Sequence, residues 1–281
     1  MLAGQSSLHP FINWETGIHL WGACGESGTK FWNSRICLSK IKLEPETTIR
    51  SSSKLMKALG IDLSSTEKCT SVCLIEYAGS LGRCSLPREQ CSDVEIDNLT
   101  KDSDAVGIDA PLGWPDKFTK VVSEWSLDNW NTEIRDELRF RLTDRIVRER
   151  IGKWPLSVSS DLIALPAMRA MALLRRSNVQ DKSGGDKGFY EVYPAGSLRI
   201  WGIYESGYKK SMEVRRRMLS ALRTNFPLLE IPEEYANTDD NLDSLVAAIT
   251  VEQAARGITI APTASQLGLA MTEGWIHLPS N

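Results

Sequence analysis

The sequence predicts an α/β fold, a mixed sheet with helices packed on it and a long, mainly helical insertion. Three observations carry that expectation. Apolar runs come first, a polar helical stretch and a further apolar run follow, and an amphipathic stretch closes the pattern at 240–256. Strands followed by a helix and another strand ask for antiparallel and parallel pairing within one sheet. With 281 residues the chain can bury one large α/β core or two small ones.

Residues 1–53 stand apart from that pattern. They carry Trp14, Trp21 and Trp32 without a sustained period of 2 or 3.6, and they leave through Pro45 and Ser51 to Ser53, which read as a linker. They are expected to be an N-terminal extension, weakly structured or outside the native domain, with the domain proper at 54–281. There LMKALGIDL gives a first strand ending at Asp62, TSVCLIEYA at 70–78 a second and RCSL at 83–86 a short third. A polar helix is expected near 92–101. AVGIDAPL then reads as a buried strand with Asp109 at its exit.

Residues 116–185 form the expected helical insertion. Within it, RFRLTDRIVRERIGK places Arg141, Arg145 and Arg148 at i, i+4 and i+7, one face of a helix. That face suits phosphate, or it is a solvated face balanced by Glu137, Asp144 and Glu149. FYEVYPAGSL at 189–198 reads as a strand with Glu191 in its middle and Pro194 at its end. The closing helix runs from Asp240 to about Arg256 with Leu242, Leu245, Val246 and Ile249 as an apolar stripe. Asp239 and Asp240 can cap it, and Gly257 closes it.

Carboxylates at apolar strand exits and a helix start are the ingredients of a divalent-metal site. Asp62, Asp109, Asp240 and Asp243 are the candidates, because Mg²⁺ takes oxygen ligands from carboxylates and substrate phosphates. Asp243 lies one turn after Asp240, on the same side of the helix. Convergence of four carboxylates is costly without a cation, and a pair of ions would clamp the attacking and leaving oxygens of a phosphodiester. Each has a plainer role too: turn bonds to the Ser64 and Ser65 amides for Asp62, a turn before Pro111 for Asp109, caps for Asp239 and Asp240, and dipole placement for Asp243. Glu191, between apolar neighbours, must either face the site or pair with an arginine.

Composition narrows the partners. The chain is 42% hydrophobic and 25% charged with a net charge of −3, so bulk charge does not drive nucleic-acid binding and any such contact is a local patch. Cysteines at 24, 37, 69, 73, 84 and 91 lack CxxC spacing, which argues for reduced thiols in the cytoplasm rather than a zinc site or disulfide scaffold. No apolar run approaches about 18 residues, and no basic region precedes an apolar core at the N-terminus. Neither a membrane span nor a secretory signal is expected.

The blocks GIDLSS at 60–65, VGIDAPLGWP at 106–115, RLTDR at 141–145 with PLSVSSDLIALPAMR at 155–169, YEVYPAGSLRIWG at 190–202, DDNLDSLVAA at 239–248 and EGWIHLP at 273–279 occur in this order. Together they resemble the domain of unknown function 429 family, described as predicted nucleases with a ribonuclease H fold. The resemblance covers roughly residues 57–281. It implies a five-stranded mixed sheet flanked by helices, with the helical insertion after strand four. It also implies catalytic and metal-binding carboxylates on strand one, at the end of strand four and as a pair on the last helix, where Asp62, Asp109, Asp240 and Asp243 stand. The residue at the strand-four place is here the shorter Asp. The expectation is a Mg²⁺- or Mn²⁺-dependent hydrolase of phosphodiester bonds acting on nucleic acid, with Glu191 a further catalytic candidate and Arg141, Arg145 and Arg148 holding substrate. Two other readings remain open: a non-catalytic binding module on the same fold, and an ATP-dependent phosphotransferase of the actin and sugar-kinase type. The latter needs a second, glycine-rich phosphate loop, which DAPLGWP does not supply.

Overall fold

The computed structural model describes residues 55–280; the expected extension at 1–53 lies outside the described residues. The chain opens with β1 (Met56–Asp62), β2 (Ser71–Ala78), β3 (Leu81–Cys84) and the two-residue β4 (Arg88–Glu89), then α1 (Asp93–Lys101) and β5 (Ala105–Asp109). Four helices make up most of the insertion: α2 (Asp116–Glu124), α3 (Thr132–Arg139), α4 (Leu142–Ile151) and α5 (Ala164–Arg176). The remainder is β6 (Phe189–Val192), α6 (Pro194–Ile200), α7 (Met212–Asn225), β7 (Leu229–Glu230), α8 (Asp239–Ala255), α9 (Leu267–Glu273) and β8 (Ile276–His277).

These strands form one mixed sheet in the order β7-β3-β2-β1-β5-β6-β8, with β4 also paired to β2. β2 runs antiparallel to β1 and β3, whereas β5 and β6 run parallel to β1. The sheet has eight strands rather than the expected five. The additional three, β4, β7 and β8, are two residues long, too short to leave a period in sequence. The third strand also lies two residues earlier than expected, because Gly79 turns the chain with φ +66° and sets Gly82 opposite Tyr77. Pro194 ends β6 by starting α6 at its first turn, so residues 194–198 are helical rather than extended.

Strand alternation decides which side chains share a face. Along β1, Leu59 and Ile61 pack with Ile96, Ala170, Leu173 and Leu174 beneath α1 and α5. Ala58 joins the opposite layer with Leu245 and Ala248 of α8. Asp62 has the parity of Ala58, and Asp109 that of Ala105, so both carboxylates belong to the α8 face. Two glycines let α8 sit directly on the strands. A Cβ on Gly60 would collide with the Ser244 carbonyl and the Ala248 amide, and one on Gly107 would lie 2.8 Å from the Val251 Cβ. Thirteen of the 17 residues of α8 are buried, so the helix is covered nearly all round rather than along the expected stripe.

Candidate functional site

Parallel pairing of β1 with β5 places Asp62 in register with Asp109 at the ends of adjacent strands, which are about 4.8 Å apart in a sheet. The first turns of α8 approach from the same face. Its N-cap is Thr238, whose hydroxyl accepts the Asn241 amide at 3.1 Å, so Asp239 and Asp240 are first-turn residues rather than the expected caps. Asn241 ties this end of the helix to the sheet: it accepts the Ser71 hydroxyl at 2.7 Å and donates to Glu89 at 2.6 Å. That anchoring fixes where Asp240 and Asp243 stand relative to the strand ends.

Asp62, Asp109, Asp240 and Lys209 line a cavity of about 310 Å³, together with Arg141, Glu191 and the apolar Leu156, Ile163 and Pro166. Asp243 lies buried behind the wall and accepts the Tyr208 hydroxyl at 3.1 and 3.2 Å and the Lys209 ammonium at 3.5 Å. Tyr208 and Lys209 belong to the segment between α6 and α7, for which the sequence predicts no element. A GYKK run beside a glycine turn, with φ +87° at Gly207, was the available signal, but it carries no period and no motif.

Electrostatics mark the group as under-compensated. Burial lifts the Asp62 carboxyl well above the usual carboxylate range, and repulsion from Asp109, Asp243 and Asp240 adds to it, with Lys209 opposing. Asp109 is raised likewise, by burial and then by Asp243. Asp240 is raised by burial and Asp239, offset in part by Lys209 and a hydrogen bond with Asp62. Burial pushes Asp243 up to about 6 against the pull of Lys209 and the Tyr208 hydroxyl. Burial opposes the charge on Lys209, yet Asp243, Asp109 and Asp62 outweigh it and hold the ammonium protonated.

The donor chemistry fits a hard divalent cation: Asp62, Asp109 and Asp240 present carboxylate oxygens to the cavity beside Ser64 and Tyr193, and the Lys209 ammonium that pairs with Asp243 belongs to a side chain 63% exposed. The carboxylates are not closed into a ligand shell. Among the described residues, no three His, Cys, Asp or Glu side chains are grouped so as to hold a metal ion. Asp243 is instead turned onto Tyr208 and Lys209, and Asp240 onto Asp62.

Glu191 and Arg141 line the same cavity, whereas Arg145 and Arg148 stand away from it. Glu191 is 2% exposed and pairs with Arg141 through two bonds of 2.7 and 2.8 Å, while its Oε2 also accepts the Leu112 amide at 2.9 Å. It does both things expected of it: it lines the acidic cavity and is paired there with Arg141, which lines the cavity too. Arg141 precedes α4 as its N-cap and is 1% exposed, its guanidinium shared between Glu191 and Asp144. Arg145 is exposed beside Asp116, Glu137 and Glu273, and Arg148 leans on Trp154 at 6.0 Å from the ring centroid. The three therefore do not form one phosphate-binding face. The 3.6-residue period fails here because the helix begins after Arg141, not before it.

Among the described residues Cys69, Cys73, Cys84 and Cys91 are free, and no helix is long and apolar enough to cross a membrane. The model of a family described as proteins of unknown function, DUF429, matches residues 60–266. No curated protein and no solved structure matches the chain.

Proposed function

The chain belongs to the DUF429 family, and from that premise we propose that it is a nuclease of the ribonuclease H-like superfamily, a Mg²⁺- or Mn²⁺-dependent hydrolase of phosphodiester bonds. The observation that carries the reading is the register of Asp62 with Asp109 at the exits of β1 and β5, on the face from which α8 brings Asp240 and Asp243. The five strands of four residues or more support the superfamily reading, since first strand, fourth strand and long late helix each contribute a carboxylate there.

Asp62 and Asp109 would hold the ion, joined by Asp240 or Asp243 once their present partners exchange. When bound, such an ion draws the pKa of a water toward neutrality and offsets charge at the phosphate. The remaining tasks fall to the chain itself. Lys209, reaching in from solvent, is free to leave Asp243 and present its ammonium to a phosphate oxygen. Tyr208 keeps the Asp243 carboxyl oriented through its hydroxyl. Leu156, Ile163 and Pro166 narrow the access of bulk water to the acidic wall. A cytoplasmic setting agrees with the free thiols.

A second reading is favoured by one observation, the Lys209–Asp243 contact in place of a closed ligand shell. In that reading the domain binds nucleic acid or another ligand without cleaving it. Cleavage of labelled single-stranded, duplex and hybrid substrates with Mg²⁺, Mn²⁺ or EDTA separates the two. The hydrolase reading expects activity in metal that EDTA abolishes and that Asp62→Asn and Asp109→Asn reduce to background. Activity surviving both EDTA and the substitutions overturns the mechanism, and inactivity on every substrate turns the conclusion to the binding module.

A further inference from the structure

Between α3, α4 and the loop that follows them lies a second recess, of about 470 Å³, to which Arg135, Arg139, Arg148, Lys153 and Trp154 contribute. Two carboxylates share it, and both are engaged. Asp136 pairs with Arg135 at 2.9 Å, and Asp161 accepts the Ser157 amide at 2.7 Å. Among the described residues Arg139, Arg148 and Lys153 pair with no carboxylate. Many other arginines of the domain do pair, including Arg83, Arg169, Arg176, Arg217 and Arg223.

Ring contacts hold the two arginines in place of charge partners. Phe140 and Trp154 stack at 3.9 Å and 15°. Arg139 sits over the Phe140 ring at 4.8 Å and donates to Ser160 at 3.3 Å, and Arg148 lies 6.0 Å from the Trp154 centroid. An arginine ordered by a ring and a hydroxyl keeps its charge and most of its donors for a ligand. Trp154 remains 39% exposed. Three unpaired cations beside a partly open indole suit a polyanion whose flat bases are free to stack.

We propose that this recess binds the sugar-phosphate backbone of single-stranded nucleic acid, with a splayed base on Trp154. Pro155 and Leu156 line both this recess and the acidic cavity. A strand whose phosphate sits at Asp62 and Asp109 thus crosses that short rim to reach Arg148 and Lys153. The inference rests on the phosphodiester reading for its purpose and names the substrate class of that site; its binding chemistry stands alone. A duplex satisfies the cations but not the indole, because its bases are stacked and paired. Ribose and deoxyribose strands share the chemistry used here.

The test is fluorescence anisotropy of labelled oligouridine, oligothymidine and a duplex across a salt series, in EDTA so that nothing is cleaved. The full chain binds both single strands and binds the duplex more weakly. Arg139→Gln/Arg148→Gln/Lys153→Gln weakens single-strand binding by about tenfold or more and lowers the slope of log affinity against log salt by about 2, near 0.7 for each phosphate no longer neutralised. Trp154→Leu weakens single strands by about fivefold or more with the slope unchanged. Circular dichroism melting confirms folding, and Lys153→Gln alone, at an exposed position, supplies the slope change should the triple variant not fold. An unchanged slope, or a duplex bound as tightly as single strands, overturns the proposal. Metal-dependent cleavage with single-strand binding indifferent to these substitutions overturns it alone. Salt-sensitive binding without cleavage upholds it and counts against the hydrolase reading.

Discussion

Two groups of buried and half-buried carboxylates stand at this end of the sheet, and they are solved in opposite ways. Around Arg141, Glu191 and Asp144 share a guanidinium whose side chain is 2% exposed, with four nitrogen–oxygen contacts of 2.7–3.2 Å. Around Lys209, Asp62, Asp109 and Asp243 share a single ammonium whose side chain is 63% exposed and which approaches Asp243 only to 3.5 Å. The first group is closed: burial lowers and the two carboxylates raise the proton affinity of Arg141, with a net rise. The second is open: each aspartate has its proton affinity lifted, as burial also lifts that of Glu191, but only Glu191 has two guanidinium bonds to oppose it. Satisfied charge here joins the insertion to β6. The proposed cation site rests on the second group.

The largest expected effect tests the closed group. Arg141→Met leaves Glu191 and Asp144 buried without their partner, which costs about 3–5 kcal/mol and lowers Tm by roughly 10 °C. Calorimetry reads this directly. A loss below about 1 kcal/mol would place Arg141 with exposed pairs and dissolve the contrast.

The open group carries a smaller effect with a pH signature. Because Asp243 binds its proton more tightly when folded, its contribution to stability is full below about pH 4 and is lost as pH rises through about 6. The whole term is at most about 3 kcal/mol. Urea midpoints from pH 4 to pH 7 should fall for wild type, and Asp243→Asn should flatten the fall and match or exceed wild type at pH 7. A midpoint that rises over this window would contradict the assignment. The same carboxylates should lose their penalty when a divalent ion is present.

The contrast also explains what the sequence disclosed. Asp62 and Asp109 were legible because each closes a strongly apolar strand, and Asp240 and Asp243 because they open a long apolar helix. Glu191 was legible as a carboxylate in need of a partner, but not the identity of that partner, which lies 50 residues away. Arg141 was misplaced because a helix boundary, not a period, sets its role. Lys209 and Tyr208 were illegible, since their position depends on how α6 and α7 leave and rejoin the sheet. α7 itself had a signal in Arg215, Met218, Leu219 and Leu222, buried at helical spacing behind the Ser211 cap. The two-residue strands had none, because register with a neighbour is their whole definition.

The most direct test of the open group is Mn²⁺ binding at pH 7, followed by calorimetric titration of wild type, Asp62→Asn, Asp109→Asn and Lys209→Gln. Wild type should bind Mn²⁺, either Asp→Asn change should abolish that binding without unfolding the domain, and Lys209→Gln should tighten it by removing the competing ammonium. Mn²⁺ binding indifferent to Asp62 and Asp109, or none at millimolar ion in the folded protein, would contradict the claim that these carboxylates await a cation.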